Sequence, residues 1–277
     1  MTRPAARVAL LGILAALFPV LPGVPSSFVG TANIAAAYAL AAISLVLLIG
    51  WVGQISLGHA ALVGIGAYAT GWVAGTLHIP FPLSLPLAAL AGAVAAAVFG
   101  VVALRVRGLF LAVATLIFSW MASEFLFRQS WVVGNDQIPD RMIGGPGTFP
   151  SFDFTSRRTF YIVAWAVVFA AVHIAANLRD SKTGRAFFAV RGSEMAAASL
   201  GVDVMRYKLL AFAVSGAFAG AAGNLMMSNA RVVSPDEFTF SASLFFVSIA
   251  VVGGLRSLGG AVASSLLFAG LTELFFR

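Results

Sequence analysis

The segment Gly53-Gln54-Ile55-Ser56-Leu57-Gly58-His59 places three hydrogen-bonding side chains, Gln54, Ser56 and His59, and two glycines inside otherwise apolar sequence running from Ile34 to Leu77. Polar groups are costly in hydrocarbon and persist where they face a water-filled cavity or a neighbouring helix. A helix interrupted here would present backbone dipoles and side-chain donors to a solute crossing the membrane, which makes Gln54, Ser56, Gly58 and His59 candidate pathway residues. An ordinary tight turn between two spans at the membrane surface accounts for the same residues, and composition weighs the two equally.

A second concentration of chemistry lies between Arg179 and Lys208, where Arg179, Lys182, Arg185, Arg191, Arg206 and Lys208 form the densest basic cluster in the chain. Its middle, Arg185 to Leu200, mixes Phe187, Phe188 and Val190 with Arg191 and Glu194, then runs through helix-favouring Ala196 to Ala198 to a terminating Gly201. This predicts one short amphipathic helix. Such a helix either lies on the lipid surface through its Phe and Arg side chains or docks a cytoplasmic partner.

Other chemistry is sparse. Of ten acidic residues only Glu124 and Glu273 fall within apolar runs, and Glu124 stands four residues before Arg128, where an ion pair on one helix face accounts for it. A carrier coupled to protons or sodium usually shows carboxylates near the bilayer midplane, so their scarcity weighs against that class. Lys182 and Lys208 lack the G-x-x-x-x-G loop that would cradle phosphates, so the chain is not expected to hydrolyse ATP. There is no G-x-S-x-G elbow, His59, His78 and His173 are far apart, and cysteine is absent. No catalytic set, metal site or cofactor is expected.

The elements that must position these residues are membrane helices. The 277 residues are 60% hydrophobic and 10% charged, against about 45–50% and about 25% in soluble domains. Nine apolar runs are expected: Val8–Leu21, Ile34–Val52, Ala60–Leu77, Leu83–Leu104, Leu109–Phe127, Phe160–Asn177, Leu209–Met227, Phe240–Gly254 and Leu258–Phe276. The fold class is all-α, a polytopic bundle forming a single transmembrane domain over residues 1–277. The net charge of +7 is dispersed between apolar runs, which marks orientation rather than a nucleic-acid surface. If the N-terminus is cytoplasmic, Arg105–Gly108 and the 179–208 loop fall inside and the 129–159 loop outside, with Gly144 to Gly147 as turns; Arg157 and Arg158 run against this assignment. Gly216, Gly220 and Gly223 predict close helix packing around one span.

The run GQISLGHAALVGIGAY at Gly53 to Tyr68 resembles the hallmark of branched-chain amino acid ABC transporter permeases of the LivM and LivH type. GGPG, GRAFFAVRGSEMAAASLGVDVMRYKLLAF and SPDEFTFSASLFFVSIAVVGGLRSLGG follow in the order of that family, and the long 129–159 loop with the R-x-R-G step at Arg105 is more similar to LivM. The resemblance implies a permease subunit in the bacterial inner membrane. It would pair with a second, LivH-type permease, two cytoplasmic ATPase subunits and a periplasmic substrate-binding protein. It also likens the 179–208 loop to an ATPase-coupling element, with Arg185, Arg191, Glu194, Ala196, Ala197 and Gly201 as its residues. Gly192 and Ser193 stand where the family often has charged or amide residues, and Arg256 and Gly260 replace a Gly and a Pro. Members usually continue past position 277, so loss of a C-terminal helix is expected. The function expected is alternating-access import of branched-chain or other hydrophobic amino acids. Rivals are same-family import of urea, short amides or other small solutes, a self-sufficient secondary transporter or channel, and a membrane enzyme.

Overall fold

The computed structural model describes residues 26–79, 81, 83–103, 109–129, 132 and 156–275. The first apolar run, the Arg105–Gly108 step, Gly144 to Gly147 and most of the 129–159 loop lie outside the described residues. Within them the chain is helical: α1 Ser26–Leu45, α2 His59–Thr76, α3 Ser84–Ala103, α4 Leu109–Met121, α5 Arg157–Asp180, α6 Lys182–Gly192, α7 Glu194–Ser199, α8 Val204–Ala230, α9 Phe240–Gly253 and α10 Leu258–Phe275. α1 and α4 each end in a wide π-type turn, Val46–Trp51 and Ala122–Leu126, and a short 3-10 turn, Pro235–Phe238, precedes α9. Eight of the nine expected runs coincide with helices. Among the described residues five helices are long and apolar enough to cross a membrane, which makes this a multi-pass membrane protein.

Helix ends extend beyond the apolar runs because hydrogen-bonding caps, not hydrophobicity, terminate them. α8 begins at Val204 where the Asp203 carboxylate accepts from the Arg206 amide at 3.1 Å, five residues before its apolar run. The expected single helix from Arg185 to Leu200 is in fact two. Gly192 ends α6, and Ser193, extended at φ −163°, caps α7 by accepting from the Ala196 amide at 3.2 Å. The departure of Gly192-Ser193 from the family pattern is therefore a helix break.

Two helices form the middle of the bundle. α1 is apolar on every side and buried over most of its length, packed by α5, α8, α9 and α10. α8 is packed by α1, α2 and α3 through small residues. On α3, Ala88, Gly92, Ala96 and Gly100 recur every four residues and face α8, while Leu90, Val94, Val98 and Val102 point outward. A Cβ at Gly220 would meet the Ala88 carbonyl and, at 3.2 Å, the Cα of Gly92; one at Gly223 would meet Val63 and Ala67 of α2. In lipid the hydrophobic effect does not drive helices together, so this backbone approach is what holds them.

Replacing Gly220 by Ala should cost about 1–3 kcal/mol by overpacking, read as a lower melting temperature of the detergent-solubilised protein. Gly259→Ala on α10, where a Cβ meets nothing within 4 Å, is the control and should be neutral or stabilising.

Candidate functional site

The polar interruption seen in sequence is a break between helices inside the bundle. The chain leaves the π-turn at Trp51, reverses at Gly53 with φ +76°, and runs without regular structure to Gly58 before α2 begins at His59. The reversal favours glycine because the φ is left-handed, and the stem of Arg191 lies close by, with its Cγ 3.2 Å from where a Cβ would stand. Residues then alternate: Gln54, Ser56 and Gly58 are buried, Gly53 and Ile55 are exposed, and Leu57 is half-buried.

Three neighbouring helices supply partners to the buried edge. The Leu57 amide, in the irregular segment, donates to Thr115 Oγ1 of α4 at 2.8 Å, and the Ala60 amide, one of the donors that a helix start leaves unpaired, to Ser243 Oγ of α9 at 3.0 Å. Ser119 of α4 lies 3.3 Å from Ser243. Gly58 presses on the Thr115 carbonyl, where no Cβ fits. His59 is fully buried, with Nδ1 3.1 Å from Ser56 Oγ and Nε2 3.0 Å from Ser215 Oγ of α8. Ser215 gives its single proton to the Ser44 carbonyl of α1 at 2.9 Å. It therefore accepts from the ring, which puts the imidazole proton on Nε2, and Ser56 donates to Nδ1 of the neutral ring. Gly58 and His59 thus brace the break, and Ser56 and Gln54 lie on its inner side.

The depth of the break follows from helix rise. α1 ends, α8 begins and α9 ends at one face of the bundle, the basic end, because Arg191 reaches the Gly50 carbonyl and Leu255 abuts Gly50. Thr115, Ser215 and Ser243 sit six to eleven residues in from their helix ends there and Ser44 seven residues before Trp51, where the wide turn that continues α1 ends, roughly 9–16 Å at ~1.5 Å per residue. The start of α2 therefore lies well within the thickness of the bundle.

The basic loop is fastened to this region at two points. The Arg191 guanidinium donates to the Gly50 carbonyl at the end of α1, a cation at a helix C-terminus. Burial first, and then the nearby charge of Arg256, hold its pKa below the ordinary arginine value. Lys208 Nζ of α8 pairs with Glu194 Oε1 at 2.5 Å, its own side chain being 8% exposed against 40% for Glu194. Phe187 and Val190 bury α6 against the bundle, and Phe188 lies 6.1 Å from Trp51. Arg185 is exposed and donates to the Asp180 carbonyl at the end of α5. Ala197 is buried, Ala196 and Gly201 are exposed, and Gly201 makes the turn at φ +83°. The apolar side chains that stand away from the bundle are Met195, 86% exposed, and Leu200, 82% exposed.

Several participants carry no mark in the sequence. Thr115, Ser215 and Ser243 are single hydroxyls in apolar helices, and such residues ordinarily bond their own preceding turn. Asn224 of α8 is fully buried and donates to Thr70 of α2 and Ser84 at the start of α3, both at 2.9 Å. An amide directly after the GxxxGxxG run is the one available signal for it. Farther along α2 a cavity of about 260 Å³ is lined by Ile65, Tyr68, Ala69, Trp72, Leu126, Phe127 and Val132. Its walls offer no charged side chain to a zwitterion. Among the described residues no cluster of three or more His, Asp or Glu is placed to hold a metal.

A family model described as the permease component of branched-chain amino acid transport systems matches residues 27–277. The high-affinity branched-chain amino acid permease protein LivM of Escherichia coli K12 is 33% identical over 96% of this chain and 67% of its own length. LivH of the same strain is 30% identical over 55% of this chain and 45% of its own length. The autoinducer 2 import permease LsrC of Enterobacter sp. strain 638 is 28% identical over 91% of this chain and 72% of its own length. The chain spans about two thirds of the length of the LivM relatives it matches. No solved structure matches it.

Ser243→Ala leaves the Ala60 amide without its acceptor inside the bundle and should cost about 1–3 kcal/mol of stability. Ser248→Ala, whose hydroxyl bonds only the Leu244 carbonyl one turn back on an exposed face, should change it by less than about 0.5 kcal/mol. Thermal unfolding of the two variants in one detergent compares them directly.

Proposed function

The chain belongs to the family of branched-chain amino acid transport permease components, and we propose that it is one transmembrane subunit of an ATP-driven importer of branched-chain or other hydrophobic amino acids. It pairs with a second permease of the LivH type in the bacterial inner membrane. Two cytoplasmic ATPase subunits drive it and a periplasmic binding protein delivers the substrate. The basic end of the bundle is then cytoplasmic, in keeping with the excess of Lys and Arg there, and the 129–159 loop is external.

The observation that carries this reading is the double fastening of the 179–208 loop. Arg191 joins it to the end of α1 and Glu194 joins it to α8, so a push on the loop reaches the helix that leads into the interrupted segment and the helix whose Ser215 holds His59, through a hydrogen bond and an ion pair. In alternating access a rigid attachment of this kind converts closure of the ATPases into tilting of the spans. The ATPase-coupling residues divide by role: Ala196, Met195 and Leu200 face outward for docking, Arg185 and Gly201 shape the loop's ends, Ala197 seats it, and Arg191 and Glu194 transmit. Gln54, Ser56, Gly58 and His59 brace the pathway segment from its inner side and hold its break in place. The LsrC relative, named for autoinducer 2 import, favours a second reading of the substrate, a small solute other than an amino acid carried by the same machinery.

Proteoliposomes holding this chain, a LivH-type permease and the ATPases, supplied with binding protein, should accumulate leucine, isoleucine or valine only with ATP inside the compartment that the ATPases face. Accumulation in liposomes holding this chain alone would identify a secondary transporter. The ion pair is tested separately: Glu194→Lys should depress uptake, and Glu194→Lys combined with Lys208→Glu should restore it, with a coupling of about 0.5–1 kcal/mol in the stability cycle, Glu194 being partly exposed. Failure of the exchange to restore uptake would make Glu194 a direct ATPase contact.

A further inference from the structure

The interrupted segment has two edges, and only one is accounted for by the bracing described above. Gln54, Ser56 and Gly58 turn into the bundle; Gly53 and Ile55 turn out of it, with Ile55 45% exposed. Among the described residues the Gly53 amide reaches the Ile49 carbonyl, the Gln54 amide reaches Leu48, and Leu57 reaches Thr115, but no hydrogen bond engages the Ile55 amide or the carbonyls of Gly53 and Ile55. These groups lie between the basic end and the start of α2, within the depth that the helices span. Unpaired backbone at membrane depth is not found facing lipid; it occurs where protein covers it or water reaches it.

We infer that the outer edge of Gly53 to Leu57, with the Ile55 side chain, lines the water-filled translocation pathway and touches the solute. This rests on the importer reading above and deepens it. The chemistry of the edge fits an apolar α-amino acid: the free carbonyls accept from an ammonium group, and Ile55 offers a branched aliphatic surface to an aliphatic side chain. The aliphatic stem of Arg191, packed on Gly53, closes the edge at the basic end and leaves the loop in direct contact with the pathway wall. The residues most conspicuous in the sequence, Gln54, Ser56 and His59, then act from behind the wall, and the residue between them that meets the solute is the apolar Ile55.

The cysteine-free chain allows a direct test. Ile55→Cys, Val98→Cys on the outward face of α3 and Ala61→Cys in the buried first turn of α2 are each expressed with the partner subunits in inverted membrane vesicles. They are treated with a charged methanethiosulfonate reagent, which reacts with the thiolate and hence with thiols in water. The Cys at position 55 should react about tenfold or more faster than those at 98 and 61, and leucine should slow its reaction. Equal slow rates at all three positions, or reaction at 55 only in vesicles lacking the second permease, would overturn the inference, the first pointing to lipid and the second to a subunit interface. Reactivity is read apart from uptake, so a wet Ile55 edge together with failure of the reconstituted proteoliposomes to accumulate amino acid would refute the importer reading and leave the placement of the edge standing.

Discussion

A polypeptide that leaves the helix inside a bilayer must find partners for the backbone donors and acceptors it frees, because hydrocarbon offers none. In this chain that constraint falls on the inner edge of Gly53 to Ala60. It is met from three sides by Thr115, Ser243 and the His59–Ser215–Ser44 relay, which bring α1, α2, α4, α8 and α9 to one point. Each bond is worth modest free energy when made and about 1–3 kcal/mol or more when left unmade. The helices can bring their hydroxyls there because α8 lies backbone to backbone against α2 and α3 along Gly216, Gly220 and Gly223.

The same point is where motion would enter. Gly50 receives the Arg191 guanidinium on its carbonyl and has the Leu255 carbonyl against its Cα, so the basic loop and the α9–α10 turn converge on the end of α1. Three residues later the chain reverses at Gly53 beneath the stem of Arg191. Displacement of α6 therefore bears on the reversal itself, while Lys208 carries the same displacement to α8 through Glu194. Between them these contacts join α6 and α7 to the interrupted segment over a few residues of continuous packing.

The architecture was legible in the sequence because lipid imposes long apolar runs, and eight of those runs are helices here. The site was half legible. Gln54, Ser56 and His59 stand out since three polar side chains in an apolar stretch demand partners, and Gly216, Gly220 and Gly223 announce a packing face by their spacing. The partners stayed hidden: Thr115, Ser215 and Ser243 look like any hydroxyl that bonds its own helix, as Thr115 also does to Ala112. The stripe Ala88-Gly92-Ala96-Gly100 has the right spacing, but alanine is too common in such helices to mark it. The break at Ser193 was readable from a glycine followed by a serine and a glutamate, a helix stop and a capping signal in succession, yet helix-favouring alanines on its far side argued for continuity. The wide turns at Val46–Trp51 and Ala122–Leu126 have no sequence signature.

The central claim is that one edge of the interrupted segment is locked by side chains while the other meets water. Amide hydrogen exchange resolved to single residues in the membrane-embedded protein tests it most directly. The account predicts slow exchange at Leu57 and Ala60, held by Thr115 and Ser243, and exchange about a hundredfold faster at Ile55. Uniformly slow exchange from Gly53 to Ala60, or exchange at Leu57 and Ala60 as fast as at Ile55, would contradict it.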